Sequence, residues 1–307
     1  MKDTNPLKLA ALMLLLLFLA LPLPYMAAAD ASPETLVADN PETFPLQVRS
    51  SEEDGLLGAE VFGVIEYPFS RTKEALTSPA AWCEFLPLVF NVKSCIHRVR
   101  DDRTLLTLFI GRKFFEPPED ALQLEYDFHV FEQEEDLLSI LLFASEGPHG
   151  TRDYLIEIEA HTSSDGRTSL RLNTSFRPSL RSNLATQVYL STIGRGKVGF
   201  SMTGTEGDAP VYVGGTKGII ERNAMRYYFA LKAYLDTLGI PEETRFDARL
   251  NAWFDLTQEH PRQLYEMSKR EYLSTKRKER RYQLELQGST NQFQVNRNER
   301  RVHAVQG

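Results

Sequence analysis

The chain has 307 residues, 42% of them hydrophobic and 25% charged, with a formal net charge of −7. That composition suits one sizeable globular domain, with or without extensions, and excludes a disordered chain. The charge is uneven: between Arg262 and Arg301 eleven Lys and Arg stand against five Glu, so the body before them is strongly acidic, which argues against nucleic acid as its partner.

Lys2 and Lys8 precede an apolar run from Leu9 to Leu21, followed by Pro22, Pro24 and the small-residue series Met26-Ala27-Ala28-Ala29. This order of charged, apolar and cleavage regions predicts a signal peptide over residues 1–29, and with it a periplasmic or extracellular protein. The alternative is an uncleaved membrane anchor. A span needs about 20 uninterrupted apolar residues, and the two prolines break the run. Export makes the two cysteines, Cys83 and Cys95, a candidate disulfide. Two small buried side chains that never meet is the other reading the sequence leaves open.

Residues 30–57 are rich in Pro, Ser, Glu and Asp without periodicity and predict a flexible lead-in. Ala59 to Tyr67 reads as a first strand ending at Pro68. Two short helices are expected next, one around Lys73 to Leu76 with Ser70 as cap, and one capped by Ser78-Pro79 that holds Trp82, Cys83, Phe85 and Leu86. From Val92 the period becomes two. Val92 to Arg100 and Thr104 to Arg112 flank the turn Asp101-Asp102-Arg103. Leu122, Leu124, Tyr126, Phe128 and Val130 alternate with polar residues, as an antiparallel strand with one dry face does. Leu137 to Ala144, Tyr154 to Ala160 and Leu170 to Phe176 complete about seven strands, separated by Gly147-Pro148-His149-Gly150 and Ser164-Asp165-Gly166.

The segment from Leu180 to Val213 is too long for a simple connection, so it is functional or contains structure of its own. Its stretch Gly194-Arg195-Gly196-Lys197 is glycine-rich and basic but lacks phosphate-loop spacing. A long helix then starts at Gly214-Gly215-Thr216, with Ile220, Ala224, Tyr227, Leu231, Leu235 and Leu238 on one face and Glu221, Arg222, Arg226, Lys232 and Asp236 on others. Residues 240–287 form a helical extension with Leu250, Phe254, Leu264, Met267 and Tyr272 as anchors. The basic run within 262–287 is a solvated helix, or one that meets an anionic membrane surface or a protein partner. Residues 288–307 have the composition of a disordered tail.

Strand, two short helices, six strands, long helix is an order that resembles the helix-grip fold of START-like and Bet v 1-like (SRPBCC) proteins. The strings WCEFLPLVFNVKSC at Trp82 to Cys95, GPHGTRDY at Gly147 to Tyr154 and GGTKGIIERNAMRYYFAL at Gly214 to Leu231 resemble a group of exported bacterial START-like proteins. The resemblance spans residues 58–239. It implies an α+β domain in which a curved seven-stranded antiparallel sheet wraps the long helix around a cavity. On that reading Tyr126, Phe128, Ile156, Ile158, Leu172, Tyr227 and Leu231 line the cavity, although large apolar side chains are more often simply core. Arg222, with Glu221, Asn223, Arg226 and the pair Arg152-Asp153, could orient a polar head at its mouth.

The six histidines show no metal-ligand spacing, and no nucleophile or zinc motif occurs, so no cofactor, metal or catalytic residue is expected. The function expected is binding of a hydrophobic small molecule, lipid or lipid-like, for transport or sequestration. The alternatives are an aromatase/cyclase-type enzyme in the same cavity, since acid/base work needs only one or two polar groups there, and a scaffold acting through the basic helix.

Overall fold

The computed structural model describes residues 46–305 apart from positions 135 and 193; the expected signal peptide and most of the lead-in lie outside the described residues. Strand β1 (Leu46–Glu53) pairs with β2 (Leu56–Ile65), and helices α1 (Phe69–Thr77) and α2 (Pro79–Phe85) follow. Six more strands run antiparallel: β3 (Val92–Arg100), β4 (Arg103–Ile110), β5 (Leu122–Glu134), β6 (Leu137–Glu146), β7 (Arg152–Thr162) and β8 (Thr168–Arg177). They form one eight-stranded sheet of order β1-β2-β8-β7-β6-β5-β4-β3. Helix α3 (Leu180–Ser191) and the hairpin β9 (Met202–Glu206) and β10 (Ala209–Tyr212) occupy the long segment that was expected to be functional or to contain structure of its own. The long helix α4 (Gly215–Asp236), then α5 (Glu242–Gln258), the single turn α6 (Pro261–Leu264) and α7 (Lys269–Val305) complete the chain. Among the described residues no helix is long and apolar enough to cross a membrane.

Local chemistry explains these boundaries. Ser78 accepts a hydrogen bond from the Ala81 amide at 3.3 Å and Pro79 opens α2, as expected of a capped start. Helix α1 begins at Phe69, after Pro68, so Ser70 lies inside the helix instead of capping it. Asp101 and Asp102 both take positive φ, 52° and 63°, the conformation of a two-residue hairpin turn whose twist matches its strands.

Alternation places one side chain in two on the dry face of the sheet. Ala59, Thr174, Ile156, Leu142 and Phe128 form one row across β2, β8, β7, β6 and β5, and Val61, Leu172, Ile158 and Ile140 form the next. Helix α4 covers β1, β2 and β8, α1 lies over β6 and β7, and α2 over β3 and β4. The close fit of α4 depends on Gly63, where a Cβ would sit 2.6 Å from the Tyr228 hydroxyl. That hydroxyl donates to the Val64 carbonyl at 3.1 Å. The architecture is thus the expected α+β arrangement of antiparallel sheet and long helix, with one correction: the sheet has eight strands. The additional strand is β1, which occupies part of the predicted flexible lead-in.

The C-terminal third belongs to the same core. Leu250, Trp253, Phe254, Leu264, Met267 and Tyr272 are buried in it, and Trp253 Nε1 donates to the Arg226 carbonyl at 3.1 Å. Helix α7 lies along β3, the far edge of the sheet, and meets it with a polar stripe. Tyr272 donates to the Leu88 carbonyl at 2.8 Å. The Lys276 ammonium donates to the Val89 and Val92 carbonyls, and that of Lys93 to the Phe90 and Phe114 carbonyls. Glu279 sits between the two ammonium groups, 2.9 Å from Lys93 and 2.8 Å from Lys276. Burial, partly offset by Glu279, lowers the Lys276 pKa to about 8. Gln283 donates to the Cys83 carbonyl, and Gln287 accepts from the His97 amide at 2.9 Å while donating to the His97 carbonyl at 3.0 Å. The helix is therefore docked through this stripe, while Arg277, Lys278 and Arg281 of the basic run stay exposed. The helix also continues to Val305 in place of the expected tail.

Cys83 of α2 and Cys95 of β3 are joined in a disulfide, with their Cα atoms 4.9 Å apart.

Candidate functional site

Helix α4 is buried on more than its sheet face. Residues 219, 222, 223 and 226 recur at helical spacing and form a second stripe, which turns away from the sheet. This stripe floors a cavity of about 390 Å³. Its walls are Phe90 and Asn91 before β3, Gly111 to Lys113 after β4, Thr186 and Tyr189 of α3, and Glu266 after α6. The opposite face of α3 leaves Leu180, Leu184 and Val188 exposed.

Cations dominate the cavity. Arg222 is 2% exposed and Arg226 8%. Arg222 Nη1 donates to the Val198 carbonyl at 3.3 Å. Arg226 donates through Nη2 to Glu266 at 2.7 Å and through Nη1 to Asn223 at 3.1 Å, and its guanidinium stands 5.8 Å from the Phe90 ring centroid. The Nε of each arginine is buried without a hydrogen-bond partner. Lys113 donates to the second Glu266 oxygen, and the Lys197 ammonium lies 3.5 Å from the same atom while donating to the Tyr265 carbonyl. One carboxylate thus faces three cations, and Arg222 has none of its own.

The titration behaviour follows from that imbalance. Burial lowers the pKa of Arg222, and the neighbouring Arg226 lowers it further. Burial also lowers Arg226 and Lys197, with Glu266 opposing in both cases. For Glu266 burial raises the pKa, but Arg226, Lys113 and Lys197 together overcome it and hold the carboxyl below its ordinary value.

Of the sequence-predicted site residues, Arg222, Asn223 and Arg226 line this space. Tyr126, Phe128, Ile156, Ile158, Leu172 and Leu231 are buried core, and Tyr227 is half-buried against it, so the layer between α4 and the sheet is closed by side chains. Within that layer Tyr126, Tyr154 and Tyr227 lie near one another. Burial, followed by Tyr154, pushes Tyr227 up to about 12, and burial followed by Tyr227 and Tyr154 raises Tyr126 well above its usual value. Tyr154 donates to Thr151 at 2.8 Å, while no hydrogen bond joins the hydroxyl of Tyr126 or Tyr227 to a described residue. Tyr227 is also close enough to Arg226 for their charges to interact. The polar cavity and the tyrosine group are therefore neighbours.

Two other predicted groups take different roles. Glu221 is fully buried and faces away from the arginines. Its oxygens accept from Ser50 Oγ at 2.7 Å, the Phe200 amide at 2.7 Å, the Ser201 amide at 2.9 Å and Ser201 Oγ at 2.7 Å. It ties β1 and the segment before β9 to α4, and a Cβ on Gly199 would come within 2.4 Å of it. Asp153 pairs with Arg177 at 3.0 Å and Arg152 at 3.8 Å, away from the cavity. The carboxylate that does meet the arginines is Glu266, which sequence reasoning missed along with Lys113, Tyr189 and Phe90. Only Lys197 lay in a stretch already marked as basic.

No family model matches the sequence, and no curated protein matches it. Among solved structures the chain is similar to a STAR-related lipid transfer protein from Xanthomonas axonopodis (14% identity, 48% of this chain and 86% of that one, TM-score 0.36). It is also similar to human StAR-related lipid transfer protein 5 (11%, 53% and 87%, TM-score 0.29) and to the Zhui aromatase/cyclase of Streptomyces sp. R1128 (11%, 68% and 94%, TM-score 0.31). At these values the likeness is one of general architecture, from which no activity transfers.

Proposed function

We propose that the chain binds a hydrophobic small molecule, lipid or lipid-like, non-covalently, for transport or sequestration. The observation that carries this reading is the pair of tyrosines, Tyr126 and Tyr227, in an apolar layer beside the cavity, whose hydroxyls hydrogen-bond to no described residue. A hydroxyl without a protein partner in such a layer is open to a ligand atom, so their presence supports a molecule whose oxygen or nitrogen atoms complete them. Apolar surface for the rest of such a molecule is supplied by Phe128, Ile156 and Leu231 once α4 and the sheet part, and the cavity volume lies within the usual range for small-molecule sites. Export through residues 1–29 belongs to the same proposal; the Cys83–Cys95 bridge supports an oxidising destination.

Native mass spectrometry of the protein purified from its own host tests the reading, together with displacement of an apolar fluorescent probe. A co-purifying amphiphile is expected, with probe binding weakened about tenfold or more by Leu231→Trp, which fills the layer between helix and sheet. Folded protein that carries no ligand and leaves the probe free would overturn it.

A further inference from the structure

We propose that the cavity on the outer stripe of α4 is an oxyanion site that takes a phosphate group, and that the hydrophobic molecule proposed above therefore carries a phosphate head. The second half rests on that earlier reading; the first does not.

Three cations, Arg222, Arg226 and Lys113, line the cavity and a fourth, Lys197, lies beside it at Glu266; against the single carboxylate of Glu266 they leave an excess of three positive charges. Arg112 at the rim is already matched by Glu116 at 3.5 Å. Like charges held together at low exposure are unfavourable unless an anion joins them. The two unpartnered Nε–H groups are donors without acceptors, and guanidinium donors suit the oxygens of a phosphate. A phosphate monoester carries close to two negative charges at neutral pH, so it matches the excess better than a carboxylate does. Tyr227 follows Arg226 in α4 and packs against the apolar core, so a ligand with its head at Arg222 and Arg226 would direct its chain inward.

Isothermal titration of the full chain with three probes separates the parts: inorganic phosphate, a single-chain lysophosphatidate below its micelle concentration, and the monoacylglycerol of the same chain length. The expected result is lysophosphatidate at least tenfold tighter than monoacylglycerol, with phosphate competing. Arg222→Gln should abolish that preference, and Lys113→Gln, at a partly exposed position, should reduce it. Glu266→Gln should strengthen phosphate binding several-fold, because it removes the competing carboxylate, and loss of fold cannot produce that change. Equal binding of the two amphiphiles overturns the oxyanion site and leaves the hydrophobic-ligand reading standing. Phosphate binding with this variant pattern but no binding of either amphiphile supports the site and overturns the hydrophobic reading. Silence from all three probes overturns both.

Discussion

Glu266 is where charge and stability meet. Its carboxylate touches Arg226 and Lys113 and lies near Lys197, and its folded pKa is held below the ordinary carboxylate value. A depressed acid contributes stability that is fully present above its unfolded pKa, about 4.5, and is lost as pH falls through the folded value. Glu266→Gln should therefore lower stability by about 2–3 kcal/mol at pH 7, by leaving three cations facing one another. The gap between the melting temperatures of the two proteins should be constant above pH 5 and close below about pH 4.5. A gap that does not change across that range would mean that the ionised carboxylate contributes nothing. Glu221, by contrast, is satisfied by hydroxyls and amides, which makes it a clamp within the fold with no part in this balance.

At the scale of elements, α7 does the work of a strand without being one. The Gln287 amide supplies one donor and one acceptor to His97, the pairing that a neighbouring strand would have provided. Gln287→Ala should cost about 1–2 kcal/mol in urea denaturation, from two hydrogen bonds of roughly 1 kcal/mol or less each. The His97 amide should exchange with deuterium distinctly faster while distant strands are unchanged; an unaltered His97 amide would show that water replaces Gln287 freely. This docking also explains what the sequence hid. Strands β3 to β8 and α4 were legible because apolar residues repeat with periods of two and about 3.6. Helix α7 reads as solvated because the stripe that buries it is Lys276, Glu279, Gln283 and Gln287, recruited by backbone carbonyls and by Lys93 instead of by an apolar face. Strand β1 was missed for a related reason: Leu46 to Glu53 is a polar edge strand whose exposed Glu and Ser resemble those of a linker. The cavity was legible through Arg222, Asn223 and Arg226 on one helix, and its neighbour Lys197 in a basic stretch, but not through Glu266 and Lys113, which reach it from distant parts of the chain.

For the molecule as a whole, the helices are tied to the sheet at the edge where the sheet is most open. The Cys83–Cys95 bridge fastens α2 to β3, and Gln283 of α7 holds the carbonyl of that same Cys83. A loop of this length is worth about 3 kcal/mol. Replacing both cysteines by Ala should lower the melting temperature by about 6–12 °C in scanning calorimetry. Reductant should bring the native chain to the same value and leave the variant unmoved. An equal response of both proteins to reductant would separate the loss from the bridge.

The pairing of His97 with Gln287 spans 190 positions of sequence. A ribosome adding about 5–20 residues per second takes on the order of ten to forty seconds between making the edge and making its cover. Throughout that interval a folded nascent sheet would offer an unpaired strand to any neighbouring chain. The order of synthesis thus sets a rule for production: the chain is safest kept unfolded until its last helix has been made.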